Sequence, residues 1–508
     1  MAPKQGASLC AARRLEEAFG YSAIKVPFVS VRARDSEFAS LTKPTIILAT
    51  SNGVGMGHLA RATAIARALG DRARPIIFSM ASGVAEIPES LDIQAEYVPG
   101  RDRGLMDRQL WDKYLAERLR ALVIETGAHI VTFDGVVPYP GFFTLKRWMP
   151  EISLVWVRRG HWQKKPQRFV LGLQSRLMDY IIEPGDYSRA ADTGPTSHRD
   201  DAVLFAPVSL YRGHLQKSRN EAAKALGLDP KKPTVLVQLG TGDVDLNARL
   251  TAALRGLKNW KGVQIVLTKN PTLADGRSLV PEGIKFTLVQ YFPLADVLGA
   301  FDGAIAAAGY NSVHEFLAAK IPTLLIANNR GTDNQMARAK WCAENGYSLY
   351  ADQTKLDEIE REASRLANSE LRTALSSKCA ALPDPSGANE IADALLALSE
   401  PSVDNPLANR LLHQRLAAQT ALSRGLVMTV KVSAMWVLRR LALLYRSLFP
   451  HAKPLFRHQD VDVVYSKSTS AQELRELIKS PRLFEHLIAG STRDYETKRR
   501  NIVAMVKN

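Results

Sequence analysis

The feature that most constrains this chain is a strand-loop-helix pattern that appears twice, about 190 residues apart. The first copy starts with the apolar run Thr45-Ile46-Ile47-Leu48-Ala49-Thr50. A glycine loop from Ser51 to Gly57 follows, then Leu59, Ala62, Ala66 and Leu69 at helical spacing. The second starts with Thr234-Val235-Leu236-Val237-Gln238-Leu239 and turns at Gly240-Thr241-Gly242. A short apolar run bounded by glycines and followed by a helix fits a parallel sheet covered on both faces, and little else.

Further apolar runs extend both units. Pro75–Met80, His129–Phe133 and Ser153–Val157 continue the first. Gly262–Leu267, Ile284–Leu288, Gly303–Ala307 and Pro322–Ile326 continue the second, and Ser218–Leu226 reads as a helix between the two units. The fold class is therefore α/β, with two Rossmann-like domains. We place an N-terminal appendage at 1–43, a first domain at 44–208, a second at 209–400 ending in the helix that opens near Gly387, and a basic, mainly helical extension at 401–508. The 508 residues, 46% hydrophobic and 23% charged, suffice for two cores and exclude a collagenous or disordered chain. Three widely spaced cysteines form neither a disulfide framework nor a zinc motif. The first twenty residues lack the apolar core of a secretory signal, and no run of eighteen apolar residues occurs. These features point to the cytoplasm.

Two segments carry chemistry. In SNGVGMGHLAR, Gly53, Gly55 and Gly57 lie between strand and helix, where free backbone N–H groups can meet an anion. The spacing is not that of a dinucleotide site, and no acidic residue closes the next strand. His58 at the helix entrance is either a structural histidine or a general base. Asp134, at a strand end, can orient His58, activate a hydroxyl itself, or simply form an Asp-Gly turn. The second segment runs from Ala306 to Ala339 and contains Gly309-Tyr310-Asn311-Ser312, Glu315, Asp333 and Gln335. Ser312-x-x-Glu315 has the spacing of a capping box. The same geometry also suits a pyrophosphate at the helix N-terminus, with Glu315 on a ribose diol and Asp333 and Gln335 on a sugar. Gly240 and Thr241 either face the same cleft or only turn the chain. Asp243-Val244-Asp245 and Asp460-Val461-Asp462 are triplets expected by chance among 51 acidic residues, and we assign no metal.

Together these segments resemble family 28 glycosyltransferases of the GT-B fold, and the resemblance covers about residues 44–400. It implies an inverting transfer from a nucleotide-sugar donor, UDP-linked, to a glycan, lipid or lipid-linked acceptor, with no cofactor. By that resemblance Glu315 holds the ribose, Asp333 and Gln335 the sugar, Gly309 to Ser312 the phosphates, and His58 lies near the acceptor. The first loop reads GMGHLAR where lipid II-forming members carry GTGGH. Nucleotide-sugar 2-epimerases share the two-domain fold, and a non-catalytic polysaccharide-assembly protein is a further alternative.

The extension is unusual in charge. Residues 405–459 contain no Asp or Glu but nine Lys and Arg. On a helix, Arg424, Lys431, Arg439 and Arg446 share an arc of about 80°. The segment reads either as a helix lying on an anionic membrane surface or as a cap on the body. No nucleic-acid-reading motif accompanies the charge.

Overall fold

The computed structural model describes residues 43–51, 56–100, 108–163, 171, 174–175, 177–240, 246–268, 284–328, 332–399 and 464–465. The described residues from Pro44 onward form one compact unit. The appendage lies outside the described residues except for Lys43, as does the extension except for 464–465.

The first sheet contains β1 (Thr45–Thr50), β2 (Arg74–Ser79), β3 (Gln94–Tyr97), β4 (Ile130–Asp134), β5 (Ser153–Val157), β6 (Tyr180–Gly185) and β7 (Val203–Pro207), with β14 (Val464–Tyr465) at its edge. The order is β14-β3-β2-β1-β4-β5-β6-β7, parallel throughout except for the antiparallel pairing of β14 with β3. The second sheet contains β8 (Thr234–Gln238), β9 (Gln264–Thr268), β10 (Thr287–Val289), β11 (Gly303–Ala307), β12 (Thr323–Ile326) and β13 (Leu349–Ala351), in the order β10-β9-β8-β11-β12-β13. Each sheet grows outward in both directions from its first strand, the doubly wound topology of a Rossmann-like domain.

Alternation along the central strands explains why both faces are covered. Val235 and Val237 face one core with Leu254, Leu257 and Ile359, while Leu236 faces another with Ala222, Leu226 and Phe316. Burying each such Leu or Val contributes about 1.5–3 kcal/mol. In the first domain, Ile46, Leu48, Ile65, Leu69, Phe133 and Trp156 share a core with Ile391 and Leu395 from the far end of the described chain. The helix Gly387–Ser399, counted in the sequence with the second domain, thus packs on the first. Its apolar face is complementary to the helix Gly57–Leu69 and to β7.

Five strands, β3, β6, β7, β13 and β14, were not legible as apolar runs. β3 carries Glu96, fully buried and ion-paired with the equally buried Arg118. β6 carries Glu183 and Pro184, and β7 ends in Pro207. The expected helix after Ser218 forms over Arg219–Leu226, with Ser218 and Glu221 completing a capping box.

Candidate active site

In a doubly wound sheet, ligands sit beyond the carboxyl ends of the strands where the winding reverses. In the first domain those strands are β1 and β4, and their register sets Thr50 beside Asp134. β1 runs through the glycine loop into the helix Gly57–Leu69, so its second residue, His58, stands over the end of β4. Gly53 and Gly55 lie outside the described residues. His58 Nδ1 is 2.6 Å from Asp134 Oδ1. Arg61, one turn further on, donates from Nε to Oδ2 at 2.9 Å and from Nη2 to Oδ1 at 2.5 Å.

Nδ1 meets two groups, Asp134 Oδ1 at 2.6 Å and Arg61 Nη2 at 2.9 Å, and the shorter contact, to the carboxylate, sets the tautomer. The Asp134 carboxylate can only accept, so Nδ1 carries the proton and donates it, leaving Nε2 with a free lone pair. Burial lowers the His58 pKa below the ordinary histidine value, against the pull of Asp134. Burial alone would raise Asp134, but the Arg61 charge and the His58 contact outweigh it and hold the carboxyl below its usual range. The imidazole is therefore neutral at pH 7. With 15% of its side chain exposed, it can be reached from the cleft.

In the second domain the winding reverses between β8 and β11. Gly240, past the end of β8, has φ of +77°, a left-handed conformation suited to glycine; Thr241 lies outside the described residues. β11 leads to Gly309, the N-cap of the helix Tyr310–Ala318, which has no side-chain cap. The capping box expected of Ser312 and Glu315 is therefore not formed, because the helix begins two residues before Ser312. Both side chains are left available on one helical face. Glu315 is half-buried, its carboxylate makes no hydrogen bond among the described residues, and burial with the nearby Asp296 pushes its pKa up to about 8.

Two neighbours of Ser312 bind across the domains. Tyr310 donates its hydroxyl to the Gly185 carbonyl at 2.7 Å and accepts from the Val208 N–H at 2.9 Å. Asn311 Nδ2 donates to the Gly57 carbonyl at 3.0 Å, which brings the donor-side helix start against the His58 loop.

Asp333 and Gln335, expected on a sugar, lie together just before and at the start of the helix Gln335–Glu344. Their side chains already have protein partners. Asp333 Oδ1 accepts from Arg159 Nη1 at 2.7 Å and from Arg338 Nη2 at 3.2 Å. Those two charges hold its pKa down to about 2 despite burial. Gln335 Oε1 accepts from the Asn328 N–H at 3.0 Å, and its Nε2 points to Asp333 Oδ2 at 3.4 Å. Arg338 in turn donates to Asp186 at 2.9 Å and to the Ala308 carbonyl at 2.9 Å.

Residues 234–394, which span the second sheet and the glycine-opened helix, match the family described as Glycosyltransferase family 28 C-terminal domain. That part of the chain is similar to the family 28 domain, and the similarity makes the protein a glycosyltransferase; it is built as two parallel-sheet Rossmann-like domains. A curated relative from Thermus thermophilus is named UDP-N-acetylglucosamine--N-acetylmuramyl-(pentapeptide) pyrophosphoryl-undecaprenol N-acetylglucosamine transferase. It is 27% identical over 312 residues, covering 59% of this chain and 86% of that protein. The enzyme of the same name from Staphylococcus aureus is 27% identical over 154 residues, 28% of this chain and 42% of that one. The crystal structure of Acinetobacter baumannii MurG aligns with a TM-score of 0.45 at 17% identity, covering 69% of this chain and 98% of that one.

The sequence reading missed Arg61, Arg159, Asp186 and Arg338, which tie the family 28 domain and its partner domain into one charged cluster. Signals for two of them were present. Arg61 stands three residues after His58, on the same helical face. Arg158-Arg159-Gly160-His161 follows directly on the end of the strand Ser153–Val157, where an α/β sheet places ligands. Among the described residues no group of three or more His, Cys, Asp or Glu could hold a metal, and no helix is long and apolar enough to cross a membrane. Residues 405–459 and both Asp-x-Asp triplets lie outside the described residues.

Proposed function

We propose that the protein transfers a sugar, with inversion, from a UDP-linked donor to a hydroxyl of a glycan, lipid or lipid-linked acceptor. The observation that carries this reading is the His58–Asp134 pair, with His58 on a helix whose first residue, Gly57, accepts from Asn311 of the uncapped helix that Gly309 opens. The acceptor O–H gives its proton to His58 Nε2 as the oxygen attacks the anomeric carbon. The bond from that carbon to the phosphate oxygen breaks, and the nucleoside diphosphate leaves with the electron pair. Its developing charge meets the free N–H groups of the helix that starts at Tyr310, while Asp134 stabilises the imidazolium. Glu315 accepts from the ribose hydroxyls. Gly57 lines the acceptor side and Gly240 faces the donor.

The printed names of the relatives support a UDP donor and a lipid-linked acceptor. An enzyme of that kind works at the cytoplasmic face of the membrane, where the basic stretch 405–459 would meet anionic lipid. A thermal-shift panel of UDP-, GDP-, dTDP- and ADP-sugars on wild type and Glu315→Ala tests the donor half of the reading. Stabilisation by UDP-sugars that the variant loses is the expected result. Conversion of the donor sugar with no acceptor present would instead make the protein an epimerase. Normal transfer by both His58→Ala and Asp134→Asn would remove the base.

A further inference from the structure

We propose that Arg159, a residue of the first domain, is a positioning residue for the sugar-binding carboxylate of the second. It sets which Asp333 oxygen faces the donor, so donor-sugar recognition is completed by the acceptor-side domain. The inference rests on the reading of Asp333 as a sugar ligand.

The first observation is how the Asp333 oxygens are divided. Oδ1 takes two guanidinium contacts, Arg338 from its own domain and Arg159 from the other. Among the described residues Oδ2 meets only the Gln335 amide at 3.4 Å. A carboxylate has about four acceptor positions, so the capacity left for sugar hydroxyls lies on Oδ2. With Arg338 alone the carboxyl group can rotate about its own bond. A second charge from the opposite side removes that freedom, and in a buried site such a charge-assisted bond is directional.

The second observation is that the loop carrying Arg159 is built to stay in place. His161 has φ of +55°, a left-handed conformation that costs a non-glycine residue about 1–3 kcal/mol and persists only where its surroundings enforce it. They do so here. Its N–H donates to Asp192 at 2.7 Å, and its Nε2 lies 3.1 Å from the Ser188 carbonyl. In that conformation its own carbonyl accepts the Asn334 N–H at 2.8 Å, next to Asp333. Gln163 Nε2 reaches the Asp333 carbonyl at 3.5 Å. The strain therefore presents a first-domain edge to the backbone of the sugar loop, with Arg159 aimed at its side chain.

The test is calorimetric binding of UDP, and of whichever of UDP-N-acetylglucosamine, UDP-glucose and UDP-galactose binds wild type most tightly, to the full-length protein and its variants. In Arg159→Ala the sugar nucleotide is expected to weaken about tenfold while UDP is unaffected, the scale of one hydrogen bond to a charged group. Arg159→Lys, which returns a cation to Oδ1, restores most of the loss. If Arg159→Ala does not fold, Arg159→Gln, which keeps a donor without the charge, gives the same comparison. Equal weakening of UDP and UDP-sugar would reveal a merely structural role and overturn the inference, as would no change in either. Wild type that binds neither ligand would overturn the functional reading and this inference with it. A wild type that binds UDP no less tightly than every UDP-sugar would overturn the inference alone.

Discussion

The two points where the sheets reverse their winding are related by topology but differ in how their polar groups are used. At the first, His58, Arg61 and Asp134 are bonded to one another before any substrate arrives. At the second, Ser312 and Glu315 stand on a helix face with no cap to satisfy, and the Glu315 carboxylate has no hydrogen bond among the described residues. The contrast follows from what the proposed roles ask of each. A base has to hold its tautomer and aim from the start, which a buried ion pair provides. A binding surface has to leave its acceptors unspent, at the cost of a carboxyl group that holds its proton unusually well.

The comparison can be broken most decisively at the first site. His58→Ala and Asp134→Asn should each lower kcat by about 10²–10⁴-fold, the range for loss of a positioned base or its orienting carboxylate. Donor affinity, measured by calorimetry, should stay unchanged. Because the His58 pKa is depressed, kcat/KM for the acceptor at saturating donor should be level above the ordinary histidine value and fall only below it.

Tyr310 is the exception at the second site, since its hydroxyl is already committed. Tyr310→Phe leaves the buried Gly185 carbonyl and Val208 N–H without that partner, a loss of about 2–3 kcal/mol readable as a lower denaturation midpoint. Turnover per folded molecule should hardly change. A fall in kcat without a fall in stability would move Tyr310 from the framework to the chemistry.

Glu315 allows a test with a definite sign. Its ionised form receives the ribose hydroxyls, and the free carboxyl titrates at about 8, so UDP affinity should rise with pH up to about 8 and level off above. Glu315→Gln should bind UDP about tenfold more weakly with a flat profile. Stability of the unliganded protein runs the other way. The folded pKa lies above the unfolded one, so the contribution of Glu315 is fully present below the ordinary glutamate value and is lost as pH rises through about 8. The Gln variant should lack that decline. The smallest effect is expected at Arg72, whose Nη1 meets the exposed Asp393 carboxylate at 2.5 Å. Arg72→Ala should cost no more than about 1 kcal/mol in thermal unfolding.

The same contrast explains what could be read in the sequence. Strands with uninterrupted apolar runs, such as Thr45–Thr50 and Gly303–Ala307, were legible because both of their faces are buried. β3 was not, because its Glu96 is neutralised by Arg118 from a distant helix, and a linear string does not show that pairing. Glycines and strand ends pointed to His58, Asp134 and Gly309, since topology alone puts strand ends at the cleft. Arg159 and Arg338 were hidden for the opposite reason. Their significance lies in one carboxylate 174 and 5 positions away, respectively; the strand end before Arg159 marks its place but not its partner, and nothing local distinguishes Arg338 from a surface arginine.

The helix Gly387–Ser399 that returns to the first domain has a mechanical consequence. The chain passes between the domains twice, after β7 and again just before this helix, and the two passages are stapled together. Val208 pairs with Ser386, and Glu390 accepts from the Ala206 N–H at 3.0 Å. A side chain at Gly387 would meet the Ala206 carbonyl oxygen at 1.9 Å, so the two strands of the crossing lie in direct backbone contact there. A single tether would let the domains swivel in any direction. Two tethers fastened at one place leave them an axis, so any opening between the domains is a rotation about that crossing.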